Sequence, residues 1–239
     1  MERTVLVTGA DRGLGFALCA ELLKQGWWVF AGQYLPQWHE LADLKNEYPE
    51  TLHIIPLDVS SMESVQAAVK IVHTYTEHMD VLISNAGITS ETIYPTIREP
   101  QDYGEMLRMY DVNALGALRM VEAFLPLLEQ GQTKRLCFIS SEAGSISAAE
   151  RTSWFGYCMS KAALNMGGKI LFNDLHPSGY TFRVYHPGWV RSYMHGEKNR
   201  EAIFEPEEAA TYALPILLND QEDEDRLVMV DHAGKEWSW

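Results

Sequence analysis

Residues Thr8 to Gly15 read TGADRGLG and follow directly on the apolar run Thr4-Val5-Leu6-Val7. Glycine weakens a helix and brings nothing to a core, so three of them at positions 9, 13 and 15 predict a turn. Set between a first strand and a first helix, Gly9, Gly13 and Gly15 allow positive φ and omit the Cβ atoms that would hold a phosphate away. The helix that follows aims free N–H groups and the positive end of its dipole at the same anion. Arg12, Leu14 and the three glycines are the expected phosphate-binding set. The spacing is GxxxGxG, not the GxGxxG of the standard dinucleotide fingerprint.

The rest of the chain supplies the fold. Apolar runs of strand length recur at 4–8, 27–31, 53–57, 81–84, 135–140, 181–186 and 227–230. Helical periodicity fills the intervals near 14–25, 38–48, 61–78, 104–130, 156–175 and 206–218. Continuous apolar strands alternating with helices predict a parallel sheet covered on both faces. The expected fold is therefore α/β: a single-domain, doubly wound, Rossmann-type sheet of about seven strands over residues 1–239. Segments 88–103 and 189–205 break the alternation after strands four and six. They leave the carboxyl ends where such sheets bind ligands, and are candidate walls of a substrate cleft.

At 239 residues and 46 % hydrophobic, the chain can bury a core of that kind. A net charge of −14 argues against nucleic acid and anionic membranes as partners. The acidic run 220–225, DQEDED, reads as a solvated loop. Cys19, Cys137 and Cys158 share no CxxC spacing, which points away from zinc and disulfides and toward a reducing, cytoplasmic setting. His186 and His195 lack a third ligand at metal spacing, so no metal is expected. The N-terminus has no signal-peptide layout, and no segment nears the roughly 20 apolar residues of a membrane span.

Sheets that bind NAD place an Asp or Glu near the end of the second strand, about 20 residues beyond the glycines. Here that strand runs out through Gly32-Gln33-Tyr34 without a carboxylate. The gap tolerates a 2′-phosphate, and Arg12 offers a matching bidentate cation. NADP(H) is the preferred cofactor, with NAD(H) possible.

Tyr157 and Lys161, in YCMSK, stand at i and i+4 and share a helix face. A phenol ionises near 10, so work as a base at neutral pH asks for about 4 kcal/mol of stabilisation of its anion. The expectation is that the ammonium, burial and the positive ring of an oxidised nicotinamide share that task. Cys158 reads as a buried thiol off this face.

Together these motifs resemble the short-chain dehydrogenase/reductase family over nearly the whole chain. TGADRGLG resembles its TGxxxGxG, and Leu57-Asp58-Val59 the segment whose Asp meets the adenine ring. Ser84-Asn85-Ala86-Gly87 resembles NNAG with Ser84 for the first Asn. Asn113 in DVNALGA, Ser141 in FISSEAGSI, Tyr157 and Lys161 match the catalytic positions. Pro187-Gly188-Trp189-Val190 with Ser192 resembles PGxVxT beside the nicotinamide. The gap from Ser141 to Tyr157 is longer than usual. With HPGWVR and DHAGKEWSW, it resembles the C-factor-like and Sniffer-type carbonyl reductase branch, and it leaves Ser140 and Ser145 as alternatives to Ser141.

The resemblance implies roles. Ser141 would bind the substrate oxygen and Tyr157 exchange a proton with it. Lys161 would lower the tyrosine pKa and grip the nicotinamide ribose. Asn113 would bend its helix and hold a water on a proton path. The cofactor set adds Asp58, Val59, Asn85, Ala86, Gly87, Pro187, Gly188, Val190 and Ser192. It further implies a homodimer or homotetramer built on helices 104–130 and 156–175, whose apolar residues exceed one core stripe. The expected activity is hydride transfer between NADP(H) and a small-molecule carbonyl or secondary alcohol. Two alternatives stand beside it: a dinucleotide-reading sensor with little turnover, and a lyase or epimerase on the same scaffold. Trp154, Phe155, Trp189, Tyr193 and Met194 bracket the site. They line an apolar substrate pocket, pack inward, or meet another subunit.

Overall fold

The computed structural model describes residues 2–194 and 196–239; His195 lies outside them. Within them eight strands form one sheet in the order β3-β2-β1-β4-β5-β6-β7-β8. These are β1 (Thr4–Val7), β2 (Trp28–Gln33), β3 (Leu52–Pro56), β4 (Val81–Ser84), β5 (Arg135–Ile139), β6 (Thr181–His186), β7 (Met229–Asp231) and β8 (Glu236–Trp237). All pairings are parallel except that of β7 with β8. The expected seven strands become eight because Gly234 at φ +77° turns the chain back into a two-residue strand, too short to show in hydropathy.

Helices α1 (Gly13–Lys24), α2 (Glu40–Glu47), α3 (Met62–His73), α4 (Tyr103–Tyr110), α5 (Gly116–Glu129), α6 (Phe155–Leu175) and α7 (Pro206–Leu218) cover the sheet. Successive strand residues face opposite sides. Val5 and Val7 therefore pack with Leu18 and Leu22 of α1 and Leu214 of α7, while Leu6 packs with Val65 of α3 and Phe124 of α5. Two covered faces demand unbroken apolar strands. Truncating a side chain such as Leu22, fully buried, to alanine costs about 2–5 kcal/mol.

Local chemistry sets the helix ends. Ser61 caps α3 by accepting from Ser64 N, and Asp102 caps α4 by accepting from Glu105 N. The expected helix 61–78 stops at His73, where the Thr74 hydroxyl donates to Ile71 O. The expected single helix 104–130 is interrupted by a π-helical turn, Asp111–Leu115. Such turns insert one residue into the ladder and redirect a side chain; here that residue group holds Asn113.

The acidic run is not a free loop. Arg135 and Arg183 lie on neighbouring strands with about 1 % exposure. Arg183 holds both oxygens of Glu224 at 2.6 and 2.7 Å and the carbonyl of Asn219 at 2.8 Å. Arg135 bonds Asp220 and the carbonyl of Leu218. A buried guanidinium without its counter-ion costs about 3–5 kcal/mol, so part of this run neutralises the sheet's floor.

Candidate active site

The strand order reverses between β1 and β4, which opens a crevice at their carboxyl ends. Thr8 and Asn85 stitch its base. The Thr8 hydroxyl accepts from the N–H groups of Asn85 and Ala86 at 3.0 and 2.9 Å. The Asn85 amide donates to the carbonyls of Thr8 and Gly9 at 2.9 and 3.1 Å. This tight seam gives one of the glycines a second reason. A Cβ on Gly15 would stand 2.2 Å from Gly9 O and 2.5 Å from Asn85 Nδ2, so the protein's own turn requires glycine there. Gly13, at φ +58°, faces the open side: a Cβ there would come no nearer than 3.6 Å to Ser192 Cβ, an ordinary contact.

Above the seam lies a cleft of about 710 Å³, within the range of small-molecule sites. The glycine turn, Asp58 and Val59, the Asn85–Gly87 stretch, Ser141, Tyr157, Lys161 and the Pro187–Ser192 stretch all line it. Asn113 does not. It sits one layer behind, 1 % exposed, with its amide donating to Ile88 O and Ser160 Oγ at 2.9 Å each. Its Oδ1 accepts from Ile88 N at 2.7 Å. Both amide protons are spent, and the side chain fastens the Ile88 backbone from both its N–H and its C=O. Asp58 has one oxygen committed to Ser60 N and Oγ, at 2.9 and 2.6 Å.

The three serines separate by their partners. Ser140 donates to Asn165 Oδ1 at 2.6 Å, and Ser145 donates to the carbonyl of Ser238. Ser141 Oγ accepts from Ala143 N at 3.1 Å and stands beside the Tyr157 hydroxyl. Burial pushes Tyr157 up to about 12 against the pull of Ser141; Glu142 and Cys158 add to the rise, and Arg151 opposes it. Burial takes Lys161 down to about 8. Lys161 Nζ donates to Ile139 O at 3.0 Å and lies 5.8 Å from the centre of the Tyr157 ring. The expectation that burial helps ionise the phenol is therefore reversed: desolvation disfavours phenolate and ammonium alike.

Trp154 starts α6 from the left-handed region, φ +67°, at a cost of roughly 1–2 kcal/mol. Its N–H donates to Ile93 O at 2.8 Å, and its ring meets Tyr157 edge-on at 6.1 Å. Arg151 lies over that ring at 5.2 Å and grips both oxygens of Glu142. Trp154, Trp189, Tyr193 and Met194 line the cleft as expected; Phe155 does not. Segment 189–205 forms much of one wall, whereas 88–103 gives only Ile88 and Thr89.

Sequence reasoning missed Glu142, Arg151 and Asp11. The first two are an ion pair nine residues apart that only the loop brings together. Asp11 reaches across to accept from Leu35 N at 2.6 Å, which ties the glycine turn to the loop after β2. His186 was passed over as well. It lines the cleft with its buried Nδ1 unpartnered among the described residues. Cys19 and Cys137 are buried free thiols and Cys158 is half-buried.

A sequence model of the short chain dehydrogenase family matches residues 3–203. An uncharacterized oxidoreductase of Schizosaccharomyces pombe is 33 % identical over 237 residues, 98 % of this chain and 92 % of its own. The C-signal of Myxococcus xanthus is 41 % identical over 118 residues, 49 % of this chain and 69 % of its own. Among solved structures, the NADPH-bound carbonyl reductase from chicken fatty liver superposes with a TM-score of 0.88 at 31 % identity, covering 100 % of this chain and 99 % of that one. The carbonyl reductase Sniffer of D. melanogaster superposes with a TM-score of 0.88 at 26 % identity, covering 100 % of both. Matched along most of its length in sequence and throughout in fold, this chain belongs to the short-chain dehydrogenase family of oxidoreductases.

Proposed function

We propose that this chain is an NADP(H)-dependent carbonyl reductase, with residues 1–239 acting as one binding and catalytic unit. The observation that carries the reading is the meeting of Ser141, Tyr157 and Lys161 on the wall of one cleft, with Lys161 Nζ 5.8 Å from the centre of the Tyr157 ring. A phenol near 12 is fully protonated at neutral pH, and the alkoxide formed from a reduced carbonyl is a much stronger base. The site therefore suits reduction better than oxidation.

The cleft's own residues fit the dinucleotide. Helix α1 begins with no side-chain cap and no acid in its first turn, which leaves its first amides open to a diphosphate. Of the four Arg and Lys side chains lining the cleft, Arg108 and Arg151 are taken by Glu105 and Glu142. Arg12 and Lys161 have no carboxylate partner among the described residues. They would hold the 2′-phosphate and the nicotinamide ribose. The bound nicotinamide supplies the hydride. Ser141 hydrogen-bonds the carbonyl oxygen where negative charge grows, and Tyr157 passes its proton to that oxygen. Lys161 keeps two N–H donors for the ribose after serving Ile139 O. Asn113 holds the Ile88 backbone beneath them. Because Glu142 fills the Arg151 fork and the dinucleotide would occupy Arg12 and Lys161, no Arg or Lys lining the cleft among the described residues is left for an anionic substrate, which favours neutral carbonyl compounds.

The test is NADPH oxidation with a panel of aldehydes, ketones and quinones. Tyr157→Phe should lower kcat by at least about a hundredfold while changing NADPH affinity less than twofold. Full activity in that variant would falsify the mechanism.

A further inference from the structure

Asp11 and Arg12 are consecutive in the glycine turn, yet each fastens a different loop. Asp11 holds the exit of β2 through Leu35 N. Arg12 Nη2 donates to Tyr193 O at 3.2 Å, in the 189–205 segment. Its guanidinium lies 4.7 Å from the Trp38 ring and 5.5 Å from the Tyr193 ring, and those two rings meet edge-on at 4.8 Å. Three segments distant in sequence converge on one arginine.

We propose that Trp38 and Tyr193 are positioning residues for recognition of the 2′-phosphate, and that a phosphate seated on Arg12 fastens the 189–205 segment in return. The proposal rests on the NADP(H) reading above. Aromatic faces are the telling choice of partner. A carboxylate would orient the guanidinium but neutralise it, whereas a ring face holds the cation and leaves its charge available. Among the described residues only one Arg12 N–H goes to a protein acceptor, which leaves most of the fork for an oxyanion. The coupling is reciprocal by necessity: if docking of the segment orients Arg12 for phosphate, phosphate favours the docked segment by the same factor.

Calorimetric titration with adenosine 2′,5′-bisphosphate and adenosine 5′-monophosphate tests the first half. Trp38→Leu should weaken the bisphosphate about two- to thirtyfold and leave the monophosphate within twofold, and Trp38→Phe should recover most of the loss. Equal weakening of both nucleotides, or of neither, overturns it. The second half is read by trypsin cleavage at Arg191, Lys198 and Arg200 under saturating NADPH or NADH. Cleavage should be several-fold slower with NADPH, and Arg12→Ala should erase the difference; equal protection in the wild type overturns it. A wild type that does not prefer the bisphosphate overturns the NADP(H) reading as well. A wild type that prefers it, with an unmoved preference in Trp38→Leu, overturns this inference alone.

Discussion

Lys161→Met should make the nucleotide-free protein more stable and catalytically dead. Lys161 is 4 % exposed, and its ammonium has one hydrogen bond, to Ile139 O. Burial lowers it from 10.5 to about 8. At about 1.36 kcal/mol per unit, keeping the charge at pH 7 costs the native state about 3 kcal/mol relative to the unfolded chain. Methionine fills similar space without charge and forfeits that one charge-assisted bond, worth about 2 kcal/mol. The net gain is about 1 kcal/mol, or roughly 2–4 °C in Tm for a chain of this size. The effect carries a pH signature. Between about 8 and 10.5 the unfolded chain binds the proton and the native one does not, so wild-type stability rises with pH in that window. The variant's advantage should therefore shrink across it. Urea unfolding at pH 7, 8, 9 and 10 measures this directly. Saturating NADPH should reverse the order, since ligand at a hundred times the wild-type Kd stabilises the wild type by about 2.7 kcal/mol, while a variant without the Lys161 ribose contact binds more weakly and gains much less. A variant less stable than wild type at pH 7 without nucleotide, or an advantage that does not shrink with pH, refutes the reasoning.

The Tyr157 phenol near 12 predicts that alcohol oxidation rises about tenfold per pH unit through the neutral and alkaline range, while carbonyl reduction stays flat around pH 7; parallel profiles for the two directions would contradict it. Asn113→Ala strands the N–H and C=O of Ile88 and should cost about 3 kcal/mol in urea unfolding; a loss below about 1 kcal/mol would mean that the backbone finds other partners. Trp189 is 50 % exposed on the cleft wall, so Trp189→Ala should raise KM for bulky carbonyls several-fold and spare small aldehydes. An unchanged specificity profile would remove it from the pocket. Leu107, Met159, Met166 and Ile170 stand 60–69 % exposed on α4 and α6, so light scattering should find a dimer or tetramer that Ile170→Glu dissociates. A single species of 27.1 kDa in the wild type would count against that assembly.

The sheet was legible because it is covered on both faces. Val5, Leu6 and Val7 are all fully buried, and an unbroken apolar run records that plainly. The two-residue β8 and the π turn at Asp111–Leu115 left no such record, since neither has a hydropathy period of its own. Tyr157 and Lys161 were legible because helical spacing puts them on one face. What spacing could not say is how dry that face is, and dryness decides the sign of the tyrosine's shift. The clasp around Arg12 was illegible for another reason: Trp38 and Tyr193 lie 155 residues apart, and only the parallel crossings bring them together. Asn113 was legible as a residue set apart in its helix, but its clasp on the Ile88 backbone was not, because no spacing brings residue 88 to it.

Arg135 and Arg183 turn the acid-rich loop into a plug. Two cations inside the floor are matched by carboxylates arriving from outside, and the carbonyls of Leu218 and Asn219 at the end of α7 share the task. Burial alone would raise the Glu224 carboxyl, but the Arg183 bonds and the Gln221 N–H outweigh it and hold that group below its ordinary value. The stability it contributes is present at neutral pH and drains away as acid protonates it. Acid should therefore loosen this molecule from underneath, at the pole opposite the cleft, with the last turn of α7 and the loop after it coming away as one piece.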